Sequence, residues 1–127
     1  MVESKKPMIV LSFHDCELHC CHLDGYQSNT NGLLKRLEQI ETIFRSKPAH
    51  AKYRIWFNMD KSNLNSDTMQ LIAESISRIE EHINKIAFVG LCGVSRRRFD
   101  AKLQNTLKEN ILHSYFKDAE VAKEWLV

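Results

Sequence analysis

Short apolar runs alternate along this chain with helical stripes. Met8 to Phe13 (MIVLSF) is apolar and rich in strand formers, and a second run, Leu18 to Leu23, follows the polar break His14-Asp15-Cys16-Glu17. Two such runs across a short break predict a β-hairpin. Asp24-Gly25 and Ser28-Asn29-Thr30-Asn31-Gly32 make a loop of turn and N-cap residues. Beyond it Leu33, Leu37, Ile40 and Phe44 step by 4, 3 and 4, one face of a helix that ends before Pro48. Tyr53 to Met59 (YRIWFNM) is nearly continuous in large apolar side chains, the pattern of a central strand covered on both faces.

Met69, Ile72, Ile76, Ile79 and Ile83 step by 3, 4, 3 and 4, the strongest helical stripe in the chain, with Ser66 placed to cap it. Glu74 with Arg78 and Glu81 with Lys85 take the acid-first i, i+4 spacing on its outer face. Lys85 to Leu91 (KIAFVGL) predicts another buried strand, followed by Gly93 and by Ser95 as the cap of a helix beginning near Arg96. Phe99, Leu103 and Leu107 mark that helix's inner face, and Asp100 is read as a partner of one of the neighbouring arginines. Ile111 to Phe116 reads as a short strand, and Asp118 caps a last helix whose Val121, Ala122, Trp125 and Leu126 face the core. The order is therefore ββαβαβαβα, an α/β domain with a mixed sheet of about five strands and about four helices, joined by right-handed crossovers.

The chain's 127 residues fit one core and one domain, with residues 1–7 expected to be flexible. Its 43% hydrophobic and 27% charged content is that of a folded globular protein. Eighteen basic against 16 acidic residues leave a formal charge of +2, too little to make nucleic acid the expected partner. The longest apolar stretch, Ile86 to Val94, is about half of the roughly 20 residues a membrane span requires. The apolar run after Pro7 is too short for a secretory leader, so a cytoplasmic location is expected, with Cys16, Cys20, Cys21 and Cys92 as reduced thiols.

Several of these segments resemble the STAS domain, the family of anti-sigma-factor antagonists and of sulphate-transporter tails. They are the hairpin closing on Leu23-Asp24-Gly25, the strand ending Met59-Asp60-Lys61-Ser62, KIAFVGL, and the tail Tyr115-Phe116-Lys117-Asp118-Ala119-Glu120 to Trp125-Leu126. The tail is similar to a SpoIIAA-like branch ending in a phenylalanine-acid strand exit, an alanine-rich helix and a Trp-Leu pair. The resemblance spans about residues 8 to 126, most of its weight resting on element order. It implies a regulatory or protein-interaction module with no catalytic centre and no cofactor, sometimes holding a nucleotide or lipophilic ligand. It also implies a phosphoacceptor serine at the start of the helix after the third strand. The matching loop runs from Asp60 to Met69, keeping the family's Asp-x-Ser opening without its Ser-Ser-Gly; Ser66 is the nearest acceptor by position, with Ser62 and Thr68 behind it.

Three other readings come from the residues themselves. His14, Cys16, Cys20 and His22 concentrate soft metal ligands, although alternation along a strand lets only a subset meet one ion, and small residues of a hairpin account for them more simply. Gly93, Ser95, Arg96 and Arg97 combine a turn, a helix start and positive charge, the ingredients of an anion site or of a surface for an acidic partner. Three successive arginines spaced by about 100° cannot all face one ligand. The last helix with Trp125 could cover a small lipophilic ligand, making the chain a carrier. No Gly-x-Ser-x-Gly elbow, His-Glu-x-x-His or dinucleotide fingerprint is present, and Asp60 is the sole acid at a strand end, so catalysis is not the expectation.

Overall fold

The computed structural model describes residues 8–23, 30–59, 65–91, 93–109 and 111–127. Their elements follow the expected order: β1 (Met8–Phe13), β2 (Cys16–His22), α1 (Thr30–Arg45), β3 (Tyr53–Asn58), α2 (Ser66–Arg78), β4 (Ile83–Val89), α3 (Gly93–Thr106), β5 (Leu112–Phe116) and α4 (Ala119–Leu126). The strands form one sheet in the order β1-β2-β3-β4-β5, so β3 is central as its apolar run predicts. β1 and β2 are antiparallel, and each later pair is parallel.

The hairpin turn is tighter than the four-residue polar break suggests. Phe13 pairs with Cys16 across His14 and Asp15, whose φ angles of 50° and 63° both lie in the left-handed region. Two such residues give the turn twist that matches a hairpin, and aspartate and histidine tolerate that region better than most side chains.

Each parallel crossover steps one strand further in the same direction, so right-handed connections place α1, α2 and α3 on one face of the sheet. Alternation along the strands sends Cys21, Ile55, Phe57, Ile86 and Phe88 into that face, against Leu33, Leu37, Ile40 and Phe44 of α1, Met69, Ile72 and Ile76 of α2, and Phe99 and Leu103 of α3. The opposite face holds Leu18, Cys20, Trp56, Ala87 and Val89 under Ala122 and Leu126 of α4.

The long isoleucine stripe does not stay helical to its end. α2 stops at Arg78, a single 3-10 turn occupies Glu80–His82, and Ile83 opens β4. Tertiary bonds draw the chain out of the helix. The buried Glu80 carboxylate accepts the backbone N–H groups of Lys108 and Glu109 at 3.1 to 3.3 Å, and His82 Nδ1 lies 2.8 Å from the Ala51 carbonyl oxygen. Both expected ion pairs on this helix are replaced. Arg78 reaches across to Glu41 of α1 at 3.2 Å, Glu74 accepts from Gln70, and Lys85 lies on β4, where it donates to the Trp125 carbonyl at 3.1 Å. In α4, Ala122 and Leu126 are buried and Trp125 partly so, whereas Val121, expected inside, is exposed.

Candidate functional site

In a sheet of parallel strands, ligands and partners are met at the carboxyl ends, where strands hand over to helix starts. Here β4 ends at Val89, and Gly90 (φ 102°) and Gly93 (φ 60°) bend the chain into α3. A β-carbon at Gly93 would meet nothing within 4 Å, so the glycine serves the left-handed backbone and not a close approach. The Gly90 N–H is donated to the Phe116 carbonyl at 3.0 Å, which joins the exits of β4 and β5.

From this corner a groove runs between α3 and β5. Leu91, Gly93, Arg96, Arg97, Tyr115, Phe116 and Lys117 line its upper cleft of about 290 Å³. A second cleft shares Arg96, Arg97 and Tyr115 and extends to Asp100, His113 and Ser114. A third shares His113 and continues to Lys108 and Glu109. On α3 the positions facing the groove are 93, 96, 97, 100 and 104, one helical face; Arg98 lies off it, as the 100° spacing requires.

Asp100 organises the groove floor. Its Oδ1 accepts the Tyr115 hydroxyl at 2.8 Å and lies 2.7 Å from His113 Nε2, while Oδ2 accepts from Gln104. His113 Nδ1 lies 3.0 Å from the Ile111 carbonyl oxygen. The two ring nitrogens thus face the Asp100 carboxylate and the Ile111 carbonyl, which fix the orientation of the ring. Burial works to raise the Asp100 carboxyl, but hydrogen bonds from Tyr115 and His113, the His113 charge and the Gln104 bond outweigh it and hold the group below its ordinary value. Burial, and then the bond and charge of Asp100, push the Tyr115 phenol well above its ordinary value, with Arg96 opposing. The Arg96 guanidinium carbon stands 5.9 Å from the centre of the Tyr115 ring, a cation–π distance. With the Asp100 carboxylate engaged by Tyr115, His113 and Gln104, the other charged residues lining the three clefts are Arg96, Arg97, Lys117 and Lys108 against Glu109.

The candidate residues fare differently. Gly93, Arg96 and Arg97 come together in the upper cleft. Ser95 does not; it is exposed inside the first turn of α3, which starts at Gly93, so it is not the helix cap. Ser66 is exposed as the first residue of α2, and the cap is Asn65, whose Oδ1 accepts the Thr68 N–H at 2.8 Å. Thr68 is buried, its hydroxyl donated to the same oxygen at 2.9 Å, which makes it part of the cap and a poor phosphoacceptor. Asp60 and Ser62 lie outside the described residues.

Cys16, Cys20 and His22 share the α4 face of β2, with Cys20 Sγ 4.0 Å from His22 Nε2. Cys16 is four strand positions from Cys20, about 13 Å, and His14 packs in the turn against the Phe13 ring, so the four are not gathered. Among the described residues no group of three or more His, Cys, Asp and Glu side chains could hold a metal ion. Trp125 lies against the Phe116 ring and beneath Lys85, and lines none of the three clefts.

Asp100, His113, Tyr115 and Lys117 were not singled out as site residues by sequence, and Asp100 was paired with the wrong partner. The signal for it was present in the 93, 96, 97, 100, 104 spacing and in the His113, Tyr115 alternation, read together. Among the described residues no helix is long and apolar enough to cross a membrane. No protein-family model matches the chain, and neither does any curated protein or solved structure compared with it.

Proposed function

We propose that this chain is a non-catalytic, STAS-like regulatory or protein-interaction module that meets an acidic or phosphorylated partner protein in the α3–β5 groove. One observation carries the reading: Arg96, Arg97 and Lys117 converge on one cleft at the carboxyl end of the sheet, while Asp100, the carboxylate lining the adjoining cleft, is already engaged by Tyr115, His113 and Gln104. Converging cations of this kind favour anionic partners by steering and by charge complementarity. The same engagement supports a non-catalytic role. A general base must present a free lone pair to its substrate, and Asp100, the carboxylate beside the cleft, already accepts the Tyr115 hydroxyl and the Gln104 amide and lies 2.7 Å from His113 Nε2. Phosphorylation of the exposed Ser66, at another helix start on the same end of the sheet, is the regulatory element of the proposal.

Titration with a glutamate-rich peptide, followed through backbone NMR shifts, tests the reading. Shifts are expected at Gly93, Arg96, Arg97 and Tyr115, to weaken with salt, and to vanish in the Arg96→Glu/Arg97→Glu variant while its thermal midpoint is unchanged. Equal binding by that variant, or shifts confined to other surfaces, would reject the groove.

A further inference from the structure

Among the described residues β5 is an edge strand: it pairs with β4, and none of them forms a strand on its other side. Which of its backbone groups remain open follows from one bond. The Phe116 carbonyl accepts from Gly90, at the exit of β4, and the backbone groups of successive strand residues point to opposite sides. Leu112, Ser114 and Phe116 therefore turn their N–H and C=O toward β4, while His113 and Tyr115 turn theirs outward. The β4 side agrees, since the Val89 carbonyl accepts from Met59 and so faces away from β5.

These outward groups stand where neighbouring clefts meet, because Tyr115 lines the upper and second clefts and His113 the second and third. The side chains of both are pinned by Asp100, which keeps them from folding over the edge. Cations flank the edge, with Arg96, Arg97 and Lys117 above and Lys108 below.

Resting on the groove reading above, we infer that β5 takes an extended acidic segment of the partner protein as a sixth strand. Backbone bonds to His113 and Tyr115 give the segment its register, and alternate acidic side chains answer Arg96, Arg97 and Lys117. A second copy of this chain is a worse occupant. Pairing β5 with its own copy brings the same cationic flanks together, at a repulsive cost. Exposed edges are commonly blunted by short strands and lysines, and β5 has five residues and Lys117 at its end. That blunting works against neutral and basic strands, and an acidic one turns the same lysine into a contact.

The test uses the whole chain and a peptide of about ten residues alternating glutamate with valine, with the same peptide methylated on every backbone nitrogen as its control. Methylation keeps the charges and removes every donor. The unmodified peptide is expected to bind about tenfold or more tightly than the methylated one, and to slow amide exchange at His113 and Tyr115 by a similar factor. Exchange at Ser114, already paired to β4, is expected to stay the same. Equal affinity of the two peptides, with binding lost in Arg96→Glu/Arg97→Glu, would overturn strand addition and leave the anionic groove standing. Binding indifferent to that double variant would reject the groove and strand addition together. Slowed exchange that follows protein concentration without peptide would assign the edge to a second copy.

Discussion

Among the described residues three helices on one face of the sheet press Phe44, Phe57, Phe88 and Phe99 into a continuous core, and on the other face one eight-residue helix covers Leu18, Cys20, Trp56, Ala87 and Val89. The thick face is closed by long apolar stripes. The thin face is finished by amphipathic stems: Lys123 Nζ lies 5.4 Å from the Phe13 ring centre and 5.8 Å from that of Trp56, and Lys85 covers Trp125. An isolated helix of eight residues is unstable in water, so α4 exists only through what it buries. Stability is thus concentrated in the three-helix layer. The candidate groove opens at that layer's margin, beside α3, whose buried side chains are only Phe99 and Leu103.

Matched truncations measure this contrast most directly. Phe88 is fully buried between the Phe57, Phe99 and Tyr115 rings, and Phe88→Ala is expected to cost about 3 to 5 kcal/mol in denaturant unfolding. Leu126→Ala, on the thin face, is expected near the lower end of the leucine range, about 2 to 3 kcal/mol, with amide exchange in α4 accelerating before that of the sheet. Equal costs, with exchange rising uniformly, would mean that the two faces share one cooperative core.

The two faces were also unequally legible. On the thick face the stripes of α1 and α2 and the runs of β3 and β4 are periodic because each position packs against a continuous layer, and hydrophobic spacing reads such packing directly. The end of α2 escaped that reading because Ile79 and Ile83 continue the stripe while leaving the helix. The Glu80 contacts that end it join residues nearly thirty positions apart, as in Lys108 N–H to Glu80 at a separation of 28. On the thin face, Val121 was misplaced because eight residues give too little periodicity to fix a phase. The groove was half legible. Gly93, Arg96 and Arg97 stand together in sequence, but Asp100, His113 and Tyr115 meet only when α3 folds back along β5, and no local pattern marks a pairing of that kind.

A smaller effect separates the faces by pH. His19 sits in the thick core beside the Phe44 and Tyr53 rings, its Nδ1 without a hydrogen-bond partner. Burial lowers its affinity for a proton from the ordinary value of 6.5; the Lys47 charge adds to this and Glu17 opposes it. The unfolded chain therefore takes up a proton below pH 6.5 that folded His19 refuses, and stability falls as pH drops from there toward the lowered folded value. His19→Leu is expected to remove part of that acid-side slope. An unchanged slope between pH 6.5 and the folded value would show that His19 charges in place.

The smallest effect carries a sign that matters. In Ser66→Glu a charge is placed in the first turn of α2, where the helix's positive end favours it, and about 0.3 to 1 kcal/mol of stabilisation is expected. Asp67 already stands in that turn, so the gain belongs near the bottom of the range. The sign depends on where the cap lies. With Asn65 as cap, position 66 is the first helical residue and accepts glutamate readily, and Asn65→Ala is then the costly change, by about 1 kcal/mol. Were Ser66 itself the cap, glutamate there would lose the capping bond and the variant would unfold earlier. A stabilised Ser66→Glu beside a destabilised Asn65→Ala thus gives a phosphate on Ser66 a favourable seat, and the reverse pattern withdraws the physical ground for regulation at that residue.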